Sequence, residues 1–254
     1  MPAPVRHPGN QPLPGPGTYR LEGGGADICI CLISLAAMLR QFLPALPAEG
    51  YQALESRVID ADLFRADFLS GDEIEQVNGF KSLKKQVEWI GGRYALKTLV
   101  AMTHPAAGTA RQVQIAYEPR GAPYLVNNPG ISISISHAGE YALAGVCGDA
   151  ERRIGLDVER IGGRGLAEVM RVAFTDREIA AVNNSPDEAC RIWTCKEAYL
   201  KFVKTGFRES LKRVDVSGST IVHGGVPVSG LGIRSLRVGE RYLLTVVYSQ
   251  IKGR

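Results

Sequence analysis

Two stretches of this chain read alike. Ser70, Gly71, Asp72, Glu73 and Ile74 are followed by Val77 and Asn78, while Thr175, Asp176, Arg177, Glu178 and Ile179 are followed by Val182 and Asn183. Each opens on a hydroxyl residue with a glutamate three positions later. This is the capping-box pattern, in which the two side chains satisfy free amides at a helix start. A second helical stretch follows each box. One carries Trp89, Arg93 and Lys97, the other Trp193, Glu197 and Lys201, with the same spacing of four. A separation of about 105 residues is too long for a solenoid repeat. The pattern predicts an α+β chain of two similar α/β subdomains, with a ligand site between the halves.

The boundaries follow from composition. Residues 1–24 hold Pro2, Pro4, Pro8, Pro12, Pro14 and Pro16, with Gly23, Gly24 and Gly25 at the junction. Such a stretch is expected to be a flexible tail that builds no ladder. The first subdomain is then expected over 25–150 and the second over 151–254. Asp60 and Asp62 read as a surface loop.

Regular elements are legible between these limits. Ile131 to Ser136 alternates isoleucine and serine, a strand with one face of each. Arg111–Tyr117, Tyr141–Val146, Arg153–Glu159 and Tyr242–Tyr248 also read as strands. Ile28–Leu39 reads as a buried strand running into a helix, being far shorter than the roughly 20 residues of a membrane span. A helix is expected from Pro186 to Lys204, closed by Gly206.

With 254 residues and 45% hydrophobic content, the chain can bury a substantial core. The net charge of +4 is no nucleic-acid signature but suits an acidic or phosphorylated partner. Five cysteines without a CxxC pair read as reduced thiols, and the four histidines are not spaced to hold zinc. No signal-peptide pattern opens the sequence, so a cytoplasmic protein is expected.

One strand carries unusual chemistry. Along Arg153–Arg160, Ile154, Leu156 and Val158 share one face, and Gly155, Asp157 and Glu159 share the other. Two carboxylates so close repel unless a hard cation such as Mg²⁺ joins them. Gly155 keeps that face clear for a bulky ligand. Alone, the pattern also fits an edge strand with solvated acids. On the helix, Trp193, Glu197 and Lys201 share a face, with Lys196 turned about 100° away.

The order Ile131–His137, then Gly155-Leu156-Asp157-Val158-Glu159, then Phe174–Glu178, then Trp193, Lys196, Glu197 and Lys201 resembles the surfactin-type 4′-phosphopantetheinyl transferases. In that family a GxDxE strand precedes a WxxKExxxK helix by about forty residues. Lys84–Arg93 and the turn Pro119-Arg120-Gly121-Ala122-Pro123 are similar to the bacterial siderophore-synthetase and mycobacterial-type branch. The chain departs from the surfactin branch proper, having Asp72, Glu73, Glu75 and Gln76 where lysines are common and Ala122 in place of a lysine. The adenylate end of coenzyme A is therefore expected to be held differently.

The resemblance implies the pseudo-twofold 4′-phosphopantetheinyl transferase fold and transfer of the phosphopantetheine arm of coenzyme A to a serine of an acyl or peptidyl carrier protein. Asp157, Glu159 and Glu197 would hold Mg²⁺ or Mn²⁺, Glu159 through water. Lys85, Arg93, Arg120, Ser136, His137, Lys196 and Lys201 would bind the coenzyme. Glu197, Lys201, His137 and Asp157 would serve catalysis, with Glu178 a more distant candidate base. Arg160, Arg164 and Arg171 could steer an acidic carrier or be solvated loop charges. No nucleic-acid or membrane partner is implied. A duplicated chain can complete its site alone, so a monomer is expected.

Overall fold

The computed structural model describes residues 3–8, 11–22, 28–47, 50–54, 58–148, 152–163, 165–205 and 209–250. Pro2, the glycines at 23–25, the expected boundary at 150–151, Arg164 and Gly206 lie outside them. In chain order the elements are β1 (Val5–His7), β2 (Gly17–Leu21), β3 (Ile28–Ser34), α1 (Leu35–Phe42), α2 (Gly71–Asn78), α3 (Leu83–Thr103), β4 (Ile115–Tyr117), β5 (Pro123–Leu125), β6 (Ser132–Ala138) and β7 (Tyr141–Cys147). There follow β8 (Ile154–Arg160), α4 (Leu166–Ala173), α5 (Asp176–Val182), α6 (Pro186–Val203), the short strands β9 (Val214–Asp215), β10 (Val222–His223) and β11 (Val226–Pro227), then β12 (Leu231–Val238) and β13 (Tyr242–Ser249).

Two sheets form the frame of this mixed α/β fold. One runs β1-β2-β3-β7-β6, antiparallel except for β1 beside β2, and the other is the antiparallel β12-β13-β8. The apolar run of β3 is buried on both faces. Cys29, Cys31 and Ile33 pack under α1 and α3, while Ile28, Ile30 and Leu32 face Leu156, Val158, Leu244 and Val246 of the second sheet. A strand between two cores needs no polar alternation. A third core gathers α6, α5 and β9 around Phe174, Ile192 and Val214.

The first 24 residues are not all tail. The proline-free stretches Val5–His7 and Gly17–Leu21 pair into the first sheet, and Leu13, Tyr19 and Leu21 are buried against β13 and its neighbours. Proline blocks ladder donation only where it stands, so strands survive between the prolines. The expected strand from Arg111 shrinks to Ile115–Tyr117. Asp60 caps a short 3₁₀ turn and Asp62 pairs with Arg65 on the surface, in line with a loop.

Both capping boxes form. Ser70 accepts from the amide of Glu73 while Glu73 accepts from that of Ser70, and Thr175 and Glu178 do the same. Each glutamate also anchors the helix after it. Glu73 meets the buried Lys97 at 2.5 Å and Arg93 at 3.1 Å on α3, and Glu178 meets the buried Lys196 at 2.7 Å on α6. The lysine matching Lys97 in role is thus Lys196, not Lys201 as the spacing of four suggests.

The serines of β6 join the two sheets. Ser132, Ser134 and Ser136 accept from the amides of Ile154, Leu156 and Val158 at 3.1, 3.0 and 3.4 Å. Side-chain hydroxyls stand where a backbone ladder would otherwise run, satisfying the free edge of β8.

Candidate active site

Helix α6 is set by Ser185 as N-cap, Pro186 in the first turn, and Asp187 and Glu188 near the positive end of its dipole. It lies on the polar face of β8 so closely that a Cβ on Gly155 would overlap the backbone of Ala198 and Phe202. The open space that Gly155 provides is filled by this helix and not by a ligand. The close approach brings Trp193, Glu197 and Lys201 over Asp157 and Glu159.

Three carboxylates meet there, two of them largely buried. Asp157 Oδ1 accepts from Ser136 Oγ at 2.6 Å and from Lys201 Nζ at 2.7 Å. Lys201 also donates to Ser136 Oγ at 3.0 Å. Glu159 Oε1 accepts from Trp193 Nε1 at 3.2 Å. Asp157 Oδ2 and Glu197 Oε1 are buried without a hydrogen-bond partner. Buried acceptors are rarely left so. Burial, with the charge of Asp157 adding to it, pushes both Glu159 and Glu197 up to about 7. One ammonium serves three acids, so this is a site short of positive charge.

Beside these acids opens a cavity of about 450 Å³ between α3 and β6 on one side and α6 on the other. Lys85, Arg93, Arg120, His137 and Lys201 all line it. Arg93 lies at its floor, stacked 4.1 Å from the Trp89 ring and donating to Glu73 and to the Tyr117 hydroxyl. Arg120 sits in the β4–β5 turn, where Gly121 takes a positive φ of 85°. His137 is half-exposed, 3.7 Å from Glu88. Partial burial lowers its pKa against the pull of Glu88, and Lys201 lowers it further.

Lys196 does not reach this cavity. It is fully buried, donates to Glu178 and to the carbonyls of Leu211 and Val214, and anchors the β9 segment to α6. The turn of about 100° from Glu197 carries it off the face that meets β8. Glu178 is equally enclosed, with its oxygens bonded to Thr175, Val216 and Lys196. Sequence reasoning passed over Glu88, Tyr117 and Lys204 at the cavity. Glu88 and Trp89 lie inside the recognised Lys84–Arg93 stretch, and no motif flags Tyr117 or Lys204.

A divalent cation fits part of this donor set. The orphaned oxygens of Asp157 and Glu197 are hard donors of the type Mg²⁺ takes. The Glu159 carboxylate is engaged by Trp193. Among the described residues, no group of three or more His, Cys, Asp or Glu side chains is arranged to hold a metal. Asp157 and Glu197 would be the two carboxylates to hold such a cation directly.

Lys85, Arg93, Arg120, His137, Lys201 and Lys204 give this cavity a basic lining of the chemistry that suits phosphate groups. Residues 153–232 match the family model of the 4′-phosphopantetheinyl transferase superfamily. The 4′-phosphopantetheinyl transferase HetI of Nostoc sp. is 30% identical over 161 residues, covering 59% of this chain and 65% of that protein. The human L-aminoadipate-semialdehyde dehydrogenase-phosphopantetheinyl transferase is 23% identical over 161 residues, covering 57% of this chain and 51% of that protein. The chain thus spans under two thirds of the length of either relative. These matches make the chain similar to the 4′-phosphopantetheinyl transferases, with the family model resting on residues 153–232. Among the described residues, no helix is long and apolar enough to cross a membrane.

Proposed function

We propose that this protein transfers the 4′-phosphopantetheine group of coenzyme A to a serine of an acyl or peptidyl carrier protein, with Mg²⁺, releasing 3′,5′-ADP. The observation that carries the reading is the pair of buried, orphaned carboxylate oxygens on Asp157 and Glu197, linked through Lys201 to a cavity also rimmed by Lys85, Arg93, Arg120 and His137. A pyrophosphate diester needs both a cation site and basic side chains along its path.

When bound, the cation would neutralise charge building on the transferring phosphoryl group. Asp157 and Glu197 would hold it, with Glu159 reaching it through water. Lys201, already poised beside Asp157, would move to a phosphate oxygen. His137 at the cavity mouth would donate to another. The serine oxygen forms the new P–O bond as the bond to the departing 3′,5′-ADP breaks, and the hydroxyl proton must go to a base. Glu178 is too enclosed for that task. Glu197, beside Asp157 and less enclosed by hydrogen bonds than Glu178, is the candidate base.

The parallel anchoring of α3 by Glu73 and of α6 by Glu178 supports a duplicated, pseudo-twofold unit. The turn around Arg120 supports the siderophore-synthetase and mycobacterial-type branch. Intact mass measurement of an apo carrier protein incubated with coenzyme A, Mg²⁺ and this protein tests the reading. Wild type should add one phosphopantetheine unit and Asp157→Ala none. Coenzyme binding without transfer to any of several unrelated carriers would refute it.

A further inference from the structure

Helix α6 ends unusually. Its C-cap, Lys204, holds φ 60° and ψ 27°, the left-handed conformation in which glycine is the least strained residue. A lysine in such a strained position points to a use for its side chain. That side chain lines the coenzyme cavity, about one turn beyond Lys201. Its ammonium is not free there. It lies 2.6 Å from Glu118 Oε1, in the turn that also carries Arg120.

The Glu118–Lys204 pair therefore ties the β4–β5 turn to the end of α6 beside the cavity. Its side chains are 36% and 33% exposed, and an ion pair that wet is cheaply exchanged for a better partner. Coenzyme A carries two anionic groups, the pyrophosphate and the 3′-phosphate monoester. Lys201, paired with Asp157, marks the side of the cavity next to the acids for the pyrophosphate. The monoester then falls to the other cations of the lining, Lys85, Arg120 and Lys204. Of the cations there, Arg93 is already committed to Glu73 and Tyr117.

Building on the coenzyme reading above, we propose that Lys204 is a ligand of the 3′-phosphate, held in reserve by Glu118 in the free protein and released to the phosphate on binding. Glu118 thereby competes with the coenzyme for Lys204 and sets its affinity, while the exchange unlatches the β4–β5 turn from the end of α6.

Calorimetric titration of the full chain with coenzyme A and with 3′-dephospho-coenzyme A tests this without any turnover. Lys204→Gly keeps a backbone suited to the left-handed turn. It should weaken coenzyme A binding about tenfold and leave the dephospho form unchanged. Glu118→Gln should tighten coenzyme A binding, by up to about fivefold, and again spare the dephospho form. Wild-type affinity in Lys204→Gly, equal loss for both compounds, or weaker binding in Glu118→Gln would overturn the assignment while leaving the transferase reading intact. A wild-type protein that binds neither compound would overturn both.

Discussion

Replacing Glu197 with glutamine should make the cation-free protein more stable at pH 8. The Glu197 carboxyl is raised from its ordinary 4.5 to about 7, mainly by burial and then by the charge of Asp157. An acid whose folded pKa lies above its unfolded one favours folding in its neutral form. That stability is complete below about 4.5 and is lost as pH rises through about 7. The rise to about 7 corresponds to roughly 3 kcal/mol. Glutamine copies the neutral acid in shape but still buries a polar amide, so a net gain of about 2 kcal/mol is expected at pH 8. For a chain of this size that is a rise of about 4–8 °C in Tm. At pH 5 the wild-type acid is already neutral, and the two proteins should differ by under about 0.5 kcal/mol. Thermal or urea unfolding with chelator at both pH values measures the difference. A gap at pH 8 no larger than at pH 5 would refute the claim that Glu197 is held in a site short of positive charge. Adding Mg²⁺ should close or reverse the gap, because the carboxylate that costs stability alone is the one proposed to hold the cation.

Three further changes separate framework from chemistry. Gly155→Ala should displace α6 from β8, lowering stability by about 3 kcal/mol or more and abolishing coenzyme binding, as seen by calorimetry on whatever folds. Ser134→Ala leaves the buried amide of Leu156 without its acceptor and should cost about 1–3 kcal/mol in urea unfolding, with coenzyme affinity kept. Lys196→Met strands the buried Glu178 and should cost about 3–5 kcal/mol. Its coenzyme affinity, measured on protein folded at low temperature, should match wild type, whereas a lysine touching phosphate would lose it.

Much of this protein was decided locally and could be read along the chain. The capping boxes form because a hydroxyl and a glutamate three residues apart satisfy each other's amides whatever surrounds them. The split of Arg153–Arg160 into an apolar face and an acid face follows from the period of a strand, and the shared face of Trp193, Glu197 and Lys201 from the period of a helix. The grouping of Asp157, Glu159, Glu197, Lys201 and His137 into one expected site comes from the family resemblance and not from the periods alone.

What the periods could not say is which neighbour each face would meet. Gly155 reads as room for a ligand, but the room is taken by α6. Lys196 reads as a phosphate binder beside Glu197, yet one residue along a helix is a turn of about 100°, enough to send it to Glu178. The serines of β6 read as one face of a strand, and only the placement of β8 makes them its edge partners. The proline-rich start reads as tail because prolines are counted together, while pairing depends on the gaps between them. Lys204 belongs to no motif, and its meeting with Glu118 joins residues 86 positions apart. Local sequence sets what a side chain can do, and packing between distant elements sets what it is given to do it with.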